Sequence, residues 1–126
     1  MHPAVRDGDL VIYYRFDKKY VASDSIVVKY NGEKQVRRVV AVAGDTVDFT
    51  EQGNLVLNGS PQDEPGIHED TFRYDTGVEF PMTVPEGEVF VLGDGREHST
   101  DSRVYGSVPV NKTLGKVTMI IRTRRP

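Results

Sequence analysis

Glycine and proline interrupt this chain every few residues, and it contains no long apolar stripe with the 3.6-residue period of a helix. The apolar runs between these breaks are short and rich in Val, Ile, Tyr and Phe, which strands favour. The predicted fold is mostly β with little helix, a coiled β-sheet or a small barrel-like domain whose closure hides strand edges. The predicted strands cover residues 9–15, 25–30, 34–42, 46–49, 55–57, 88–92 and 116–122.

Two Asn-Gly dipeptides predict tight turns. Asn31-Gly32 lies between two predicted strands and indicates a two-residue hairpin, since both residues tolerate positive φ. Asn58-Gly59 repeats the dipeptide after the strand over 55–57. Residues 62–83 are polar with scattered aromatics, which predicts an irregular excursion. No repeat or boundary is visible, so residues 1–126 are predicted to form one domain.

Composition excludes several classes of function. Sixteen Lys and Arg residues against 19 Asp and Glu residues give a formal net charge of −3, which argues against a nucleic-acid partner. The absence of cysteine excludes disulfides, cysteine zinc sites and thiol catalysis. No pair of histidines has metal-ligand spacing, so no metal and no cofactor are predicted. The three histidines are His2, His68 and His98.

The segment 93–106 is the most specific stretch of the sequence. It follows an apolar strand and is predicted to leave the sheet as a turn-rich loop, a common place for functional sites. Four charged residues in it can form alternating ion pairs and side chain-to-backbone bonds that fix such a loop. From the residues alone, this structural role is favoured over direct catalysis. The four residues are Asp94, Arg96, Asp101 and Arg103.

Four blocks, over residues 1–9, 36–47, 84–87 and 93–106, together resemble the type I signal peptidases of family S26. The family pattern is Ser-Met-x-Pro, then Gly-Asp, then Lys-Arg-Val-x-x-x-x-Gly-Asp, then Gly-Asp-Asn-Arg-x-x-Ser-x-Asp-Ser-Arg-x-x-Gly. Its order and spacing match over nearly the whole chain. The resemblance implies a membrane-anchored serine protease that removes signal peptides outside the cytoplasm by a Ser–Lys dyad, with its anchor preceding Met1.

Two positions depart from that catalytic pattern. The family serine immediately precedes the methionine that matches Met1, so this chain has no residue there, either because it was cut at that bond or because its parent has another residue. The family lysine falls on Arg37. A lysine acts as the base when burial lowers its pKa, whereas arginine keeps its proton in proteins. Lys34 is three residues away on the opposite face of the strand, so Arg37 predicts an inactive protein.

Ser99, Asp101 and Arg103 match the family pattern fully. The resemblance implies that they support the region around Arg37 and the site loop. Two partners for Asp101 are open on the sequence. It forms an ion pair either with Arg37 or with Arg103 in a purely structural loop.

The resemblance also implies a groove in which an extended peptide adds as a strand and places small side chains in shallow apolar pockets. The apolar residues Met1, Val5 and Val36, and neighbouring Val39, could instead belong to the hydrophobic core. The predicted substrate-binding residues are Met1, Pro3, Val5, Val36 and Arg37.

These features predict a non-catalytic signal peptidase-like protein that binds an extended preprotein or pilin segment. Homologues of this kind assist pilus assembly at the surface of Gram-positive cells, so the predicted location is the extracytoplasmic face of the membrane. The first alternative is an active signal peptidase seen without its nucleophile. The second is a self-cleaving repressor protease, which shares the Ser–Lys β-fold but carries a DNA-binding domain of which the sequence shows no sign.

Overall fold

Two antiparallel sheets form the framework of the part of the chain that the structure describes. The computed structural model describes residues 9–16, 18–64, 66–67, 69–74 and 78–121. Helix is limited to one α-helical turn, α1 (Ser102–Tyr105), and one 3-10 turn, Val110–Lys112. The prediction of a mostly β fold with little helix is confirmed. The strands are β1 (Leu10–Tyr14), β2 (Ser25–Tyr30), β3 (Glu33–Val42), β4 (Thr46–Phe49), β5 (Leu55–Leu57), β6 (Ser60–Pro61), β7 (Met82–Thr83), β8 (Glu88–Leu92), β9 (Val108–Pro109) and β10 (Gly115–Ile121).

The larger sheet has the strand order β1-β10-β2-β3-β8-β9, and the smaller has the order β6-β5-β4-β7. Both Asn-Gly turns form as predicted. Asn31 and Gly32 join β2 to β3 with φ angles of 51° and 81°, and Asn58 and Gly59 join β5 to β6 with 52° and 83°. Positive φ at both residues matches the twist of the flanking strands, so the local sequence alone specifies these hairpins.

Strand β8 and the second half of β3, residues 39–42, are buried on both faces, which explains their near-continuous apolar sequences. On one face Val39, Val89 and Val91 pack with residues of β2. On the other face Phe90 and Leu92 pack against the smaller sheet. These two cores hold β3 and β8 rigidly, and both the loop after β8 and the first half of β3 extend from them. No helix in the described ranges has the length and apolar character needed to cross a bilayer.

Candidate functional site

The loop after β8 is organised by a fully buried ion pair between Asp101 and Arg103. Asp101 Oδ2 accepts from Arg103 Nη2 at 2.8 Å and from the Gly93 backbone N–H at 3.0 Å. Asp101 Oδ1 accepts from both Arg103 Nε and the Arg103 backbone N–H at 3.0 Å. The second of these bonds also caps α1. Each charge is therefore compensated by several hydrogen bonds, as burial requires.

This pairing decides between the two partners that the sequence left open for Asp101. The partner is Arg103, and the expected Asp101–Arg37 pair is wrong, because Arg103 and the Gly93 N–H occupy both carboxylate oxygens. The other two charged residues of the loop pair outside it. Asp94 accepts from Arg38 of β3 at 2.6 and 2.8 Å, and this hydrogen-bonded carboxylate raises the pKa of Arg38.

Residues of the predicted excursion fold back onto the loop and brace it. The buried Arg96 guanidinium donates to both carboxylate oxygens of Glu64, at 2.7 and 2.8 Å. Arg103 Nη1 donates to the Phe72 carbonyl at 2.9 Å. The Tyr74 hydroxyl contacts the Ser99 carbonyl at 3.0 Å. The excursion is thus irregular as predicted except for β7, and part of it supports the site loop.

Arg37 lies on β3 beside this loop and donates to two backbone carbonyls. Its Nε donates to the Thr100 carbonyl at 2.9 Å, and its Nη1 donates to the Val36 carbonyl at 2.7 Å. No carboxylate of a described residue lies within ion-pair distance of it. No carboxylate of the described residues therefore compensates this partly buried guanidinium, unlike the three other arginines that contact this loop.

Ser99 approaches Gly93 too closely for any larger residue at that position. A Cβ on Gly93 would lie 2.0 Å from Ser99 Oγ and 3.7 Å from Arg37 Cδ. These distances place the Ser99 hydroxyl and the Arg37 side chain on the same side of the loop base. Ser99 Oγ is buried and makes no hydrogen bond to any residue that the structure describes. The hydroxyl is therefore available to a further group at this point.

Tyr105 is a site residue that the sequence did not reveal. Its hydroxyl is buried without a hydrogen bond of ordinary geometry to a described residue. Burial raises the pKa of this hydroxyl well above its ordinary value, whereas the nearby Arg37 cation acts in the opposite direction. Its ring packs against Tyr30 with a centroid separation of 4.7 Å. The signal that the sequence offered for Tyr105 was its position as a single aromatic residue in the polar segment 93–106.

The first half of β3 has an open edge beside Arg37. Residues 33–38 pair with β2, but β8 pairs with β3 only from Arg38 onward. Within the described ranges, no strand covers the other side of residues 33–37. The hairpin begins with the pair Tyr30–Glu33, whose backbone groups bond to each other across the turn. Hydrogen-bonded and non-hydrogen-bonded pairs alternate from there, so the N–H and C=O groups of Lys34 and Val36 point away from β2 toward this open side. Lys34 thus offers its N–H and carbonyl and Val36 offers its N–H at this edge, whereas the Val36 carbonyl already accepts from Arg37 Nη1.

The remaining predicted site residues, and the lysine and histidines that the sequence did not assign to the site, separate into three groups. Val36 is partly buried on the open edge, and Val39 is a fully buried core residue. Met1, Pro3 and Val5 lie outside the described residues, as do His2 and His68. Lys34 places its ammonium 6.0 Å from the Tyr13 ring centroid, and strand alternation puts it on the face opposite Arg37.

A crevice of about 420 Å³ lies between β3 of the larger sheet and β5 of the smaller sheet. It is lined by Arg38 and Asp94, whose charges compensate each other, and not by Arg37. Over the ranges described, no group of three His, Cys, Asp or Glu side chains could hold a metal ion. The open edge beside Arg37 is therefore the better candidate for a functional site.

Comparison with known proteins places this geometry in a family. The family model for signal peptidase, peptidase S26, matches residues 1–122. The chain belongs to the signal peptidase family. It is 39% identical to Signal peptidase I of Mycobacterium tuberculosis (strain H37Rv) over 104 residues, which cover 68% of this chain and 35% of that protein. It is 31% identical to Signal peptidase IB of Staphylococcus aureus (strain N315) over 136 residues, which cover 94% of this chain and 71% of that protein.

A solved structure of similar fold belongs to a signal peptidase I from Enterococcus faecalis V583. The TM-score is 0.66 at 29% identity, and the match covers 79% of this chain and 97% of that chain. This chain thus spans nearly all of that structure but only about a third of the mycobacterial relative. Within this signal peptidase fold, Arg37 occupies the position that the sequence pattern assigns to the family lysine.

Proposed function

We propose that this member of the signal peptidase family is non-catalytic and binds an extended segment of a preprotein. The observation that carries the proposal is the hydrogen bonding of the Arg37 guanidinium. Its guanidinium donates to two backbone carbonyls, and no carboxylate of a described residue lies within ion-pair distance of it. Arginine stays protonated in proteins, so it cannot accept the proton of a nucleophile as a neutral lysine does.

The binding mode is addition of the preprotein segment as a strand to the open edge of β3. Main-chain hydrogen bonds to Lys34 and Val36 supply affinity, and alternate side chains of the ligand supply selectivity. Val36 and Arg37 are the binding residues within the described chain, and Met1, Pro3 and Val5 complete the proposed groove. Ser99, Asp101 and Arg103 act as supporting residues, since the buried pair fixes the loop that holds the Thr100 carbonyl against Arg37.

The proposed ligand is a preprotein with a signal peptide, because the similar proteins are named signal peptidases. More specifically, the proposed preprotein is a pilin, and binding of its extended segment assists pilus assembly on a Gram-positive cell. An exposed apolar patch supports a location at the extracytoplasmic membrane surface. The patch is built from the cross-strand pairs Leu10–Ile121 and Ile12–Met119, all four of which are exposed.

An active signal peptidase is the second candidate function, favoured by the family match over residues 1–122. It requires a base other than Arg37. The Tyr105 hydroxyl is unsuited to that role at neutral pH, because burial raises its pKa further above neutrality. Turnover of a preprotein by the full-length protein distinguishes the two functions.

Strand addition is tested with backbone-methylated peptides, which leave the protein unchanged. Two N-methylated versions of a fluorescent signal-peptide tail carry methyl groups on alternate residues. We expect one version to lose binding at least tenfold in fluorescence anisotropy, because its methyl groups block the hydrogen bonds to β3. The other version retains the affinity of the unmethylated peptide. Equal binding of both versions contradicts strand addition.

A further inference from the structure

The crevice between β3 and β5 is a second concave surface, separate from the open edge. Its volume of about 420 Å³ lies within the usual range of ligand sites. Arg38 and Val40 line it from the face of β3 opposite Arg37, because side chains alternate along a strand. A ligand in the crevice and a strand on the open edge therefore occupy different surfaces.

The floor of the crevice is apolar. Val40 and Leu55 belong to the core that joins the two sheets, and both line the crevice. Leu57 and Ile67 also line it, and each is only partly buried. Apolar surface that the protein itself leaves partly uncovered is favourable for an apolar group to bury. The crevice therefore favours a ligand with at least one apolar group.

The carboxylates around the crevice exceed the cations that compensate them. Asp94 pairs with Arg38, and Glu64 pairs with Arg96, so these two negative charges are balanced. Asp63 also lines the crevice, is exposed, and forms no ion pair with a described residue. One negative charge is thus left over beside an apolar floor.

A smaller depression of about 190 Å³ adjoins the crevice and extends its acidic character. Asp63 and Ile67 line both concavities, so the two form one elongated surface. Glu69 and Asp70 line the smaller one, and neither forms an ion pair with a described residue. No lysine or arginine of the described ranges lines it. Carboxylates that share a concave surface with low-dielectric walls reinforce one another and attract cations.

We infer that the crevice and the depression bind a peptide segment of a partner protein in which apolar and basic side chains adjoin. The apolar side chain contacts Leu57 and Ile67, and the basic side chain is attracted by Asp63 and Asp70. Lysine and arginine suit such a surface, because their apolar stems pack on it while the charged head stays at the rim.

The shape of the surface favours a peptide over a compact cation. Its two concavities are elongated together and partly apolar, whereas a metal ion needs a tight group of ligands. No group of three His, Cys, Asp or Glu side chains in the described ranges could hold one. The inference goes beyond the proposed function, because this surface is not the open edge of β3.

The test uses three fluorescent hexapeptides with both ends blocked. One alternates leucine with lysine, the second leucine with glutamate, and the third serine with lysine. Fluorescence anisotropy measures their binding to the full-length protein. We expect the leucine–lysine peptide to bind at least tenfold more tightly than either of the others, because it alone supplies both the apolar groups and the cations.

Two double variants with the same change in net charge locate the site. Asp63→Asn with Asp70→Asn should weaken binding of the leucine–lysine peptide at least fivefold. The matched control, Glu79→Gln with Glu86→Gln, removes two exposed carboxylates outside both concavities and should bind as the unmodified protein does. All four side chains are exposed, and circular dichroism checks that both variants are folded.

Several outcomes would overturn the inference. Equal loss of binding in both double variants would show a general attraction to a negatively charged protein. Equal binding of the serine–lysine and leucine–lysine peptides would remove the role of the apolar floor, and no binding of any peptide would remove the site. An excess of unlabelled signal-peptide tail should not displace the leucine–lysine peptide, and displacement would place it on the open edge instead. Strand addition to β3 stands or falls by its own experiment.

Discussion

Asp101 binds Arg103 through both carboxylate oxygens, and both side chains are completely excluded from solvent. Removing one partner of a buried ion pair leaves an uncompensated charge, which costs about 3–5 kcal/mol. We therefore expect Asp101→Ala to lower the free energy of unfolding by about that amount in urea titrations. Glu86→Ala, at an exposed site, is the control and should change it by less than about 0.5 kcal/mol. A cost below about 1 kcal/mol for Asp101→Ala contradicts this role.

The Arg38–Asp94 pair should respond unequally to loss of its two partners. The Asp94 side chain is 2% exposed, whereas the Arg38 side chain is 26% exposed. Arg38→Met leaves a buried carboxylate unpaired and should cost about 3–5 kcal/mol. Asp94→Asn leaves a cation that water can reach and should cost about 1–2 kcal/mol. Urea unfolding of both single variants and the double variant measures the asymmetry, and a reversed order of the two costs is inconsistent with it.

Gly93→Ala should destabilise the loop by about 1–3 kcal/mol, because the new Cβ would lie 2.0 Å from Ser99 Oγ. The matched control is the double variant Gly93→Ala, Ser99→Gly, which removes the opposing side chain. Thermal unfolding should recover most of the lost stability in the double variant. Equal stability of the single and double variants would place the strain elsewhere.

Tyr105 should make the protein less stable at alkaline pH. Its pKa is raised in the folded protein, chiefly by burial. The unfolded chain therefore releases this proton near its ordinary pKa of about 10, while the folded chain keeps it. As pH rises above about 10, the free energy of unfolding falls by up to about 1.4 kcal/mol per pH unit.

The measurement is urea unfolding at about pH 9 and about pH 11 for the unmodified protein and for Tyr105→Phe. We expect the unmodified protein to lose more stability between the two pH values, because the variant lacks this ionisation. The other tyrosines contribute equally to both proteins. The same loss in both would mean that Tyr105 titrates as an exposed tyrosine does.

Much of the sheet structure could be predicted from the sequence because local signals specify it. The bounds of β2, β4, β5 and β8 agree with the predicted strands, since short Val- and Ile-rich runs end at turn residues. The two-residue strands β6, β7 and β9 were missed, because so few residues show no alternation. The single turn α1 was also missed, since it depends on the cap from Asp101.

The site was only partly predictable. The motif blocks predicted that Ser99 supports the region around Arg37, but ion-pair partners depend on packing between distant segments. Glu64 lies far along the chain from Arg96, and the choice of Arg103 by Asp101 depends on burial of both side chains. The unpaired hydroxyl of Tyr105 could be recognised only in the structure, because a sequence does not show which buried polar groups lack a hydrogen bond.

Arg37 should prevent cleavage even when a nucleophile is supplied. With serine placed immediately before Met1, the protein that carries Arg37 should remain inactive toward a preprotein. Arg37→Lys on the same background should raise the cleavage rate by about 10²–10⁴, the usual contribution of a general base. Ser99→Ala in that background tests whether the unpaired hydroxyl positions the lysine, which would appear as a shifted pH profile. No gain from Arg37→Lys would locate the defect outside this residue.

Incubation of the unmodified full-length protein with an intact preprotein, followed by mass spectrometry of both bound and free fractions, tests the central proposal most directly. A binding protein with Arg37 in the base position should retain the preprotein at its full mass, with no new terminus after prolonged incubation. Cleavage at a single bond, abolished by Arg37→Ala, would contradict the proposal and show that this chain is a working peptidase.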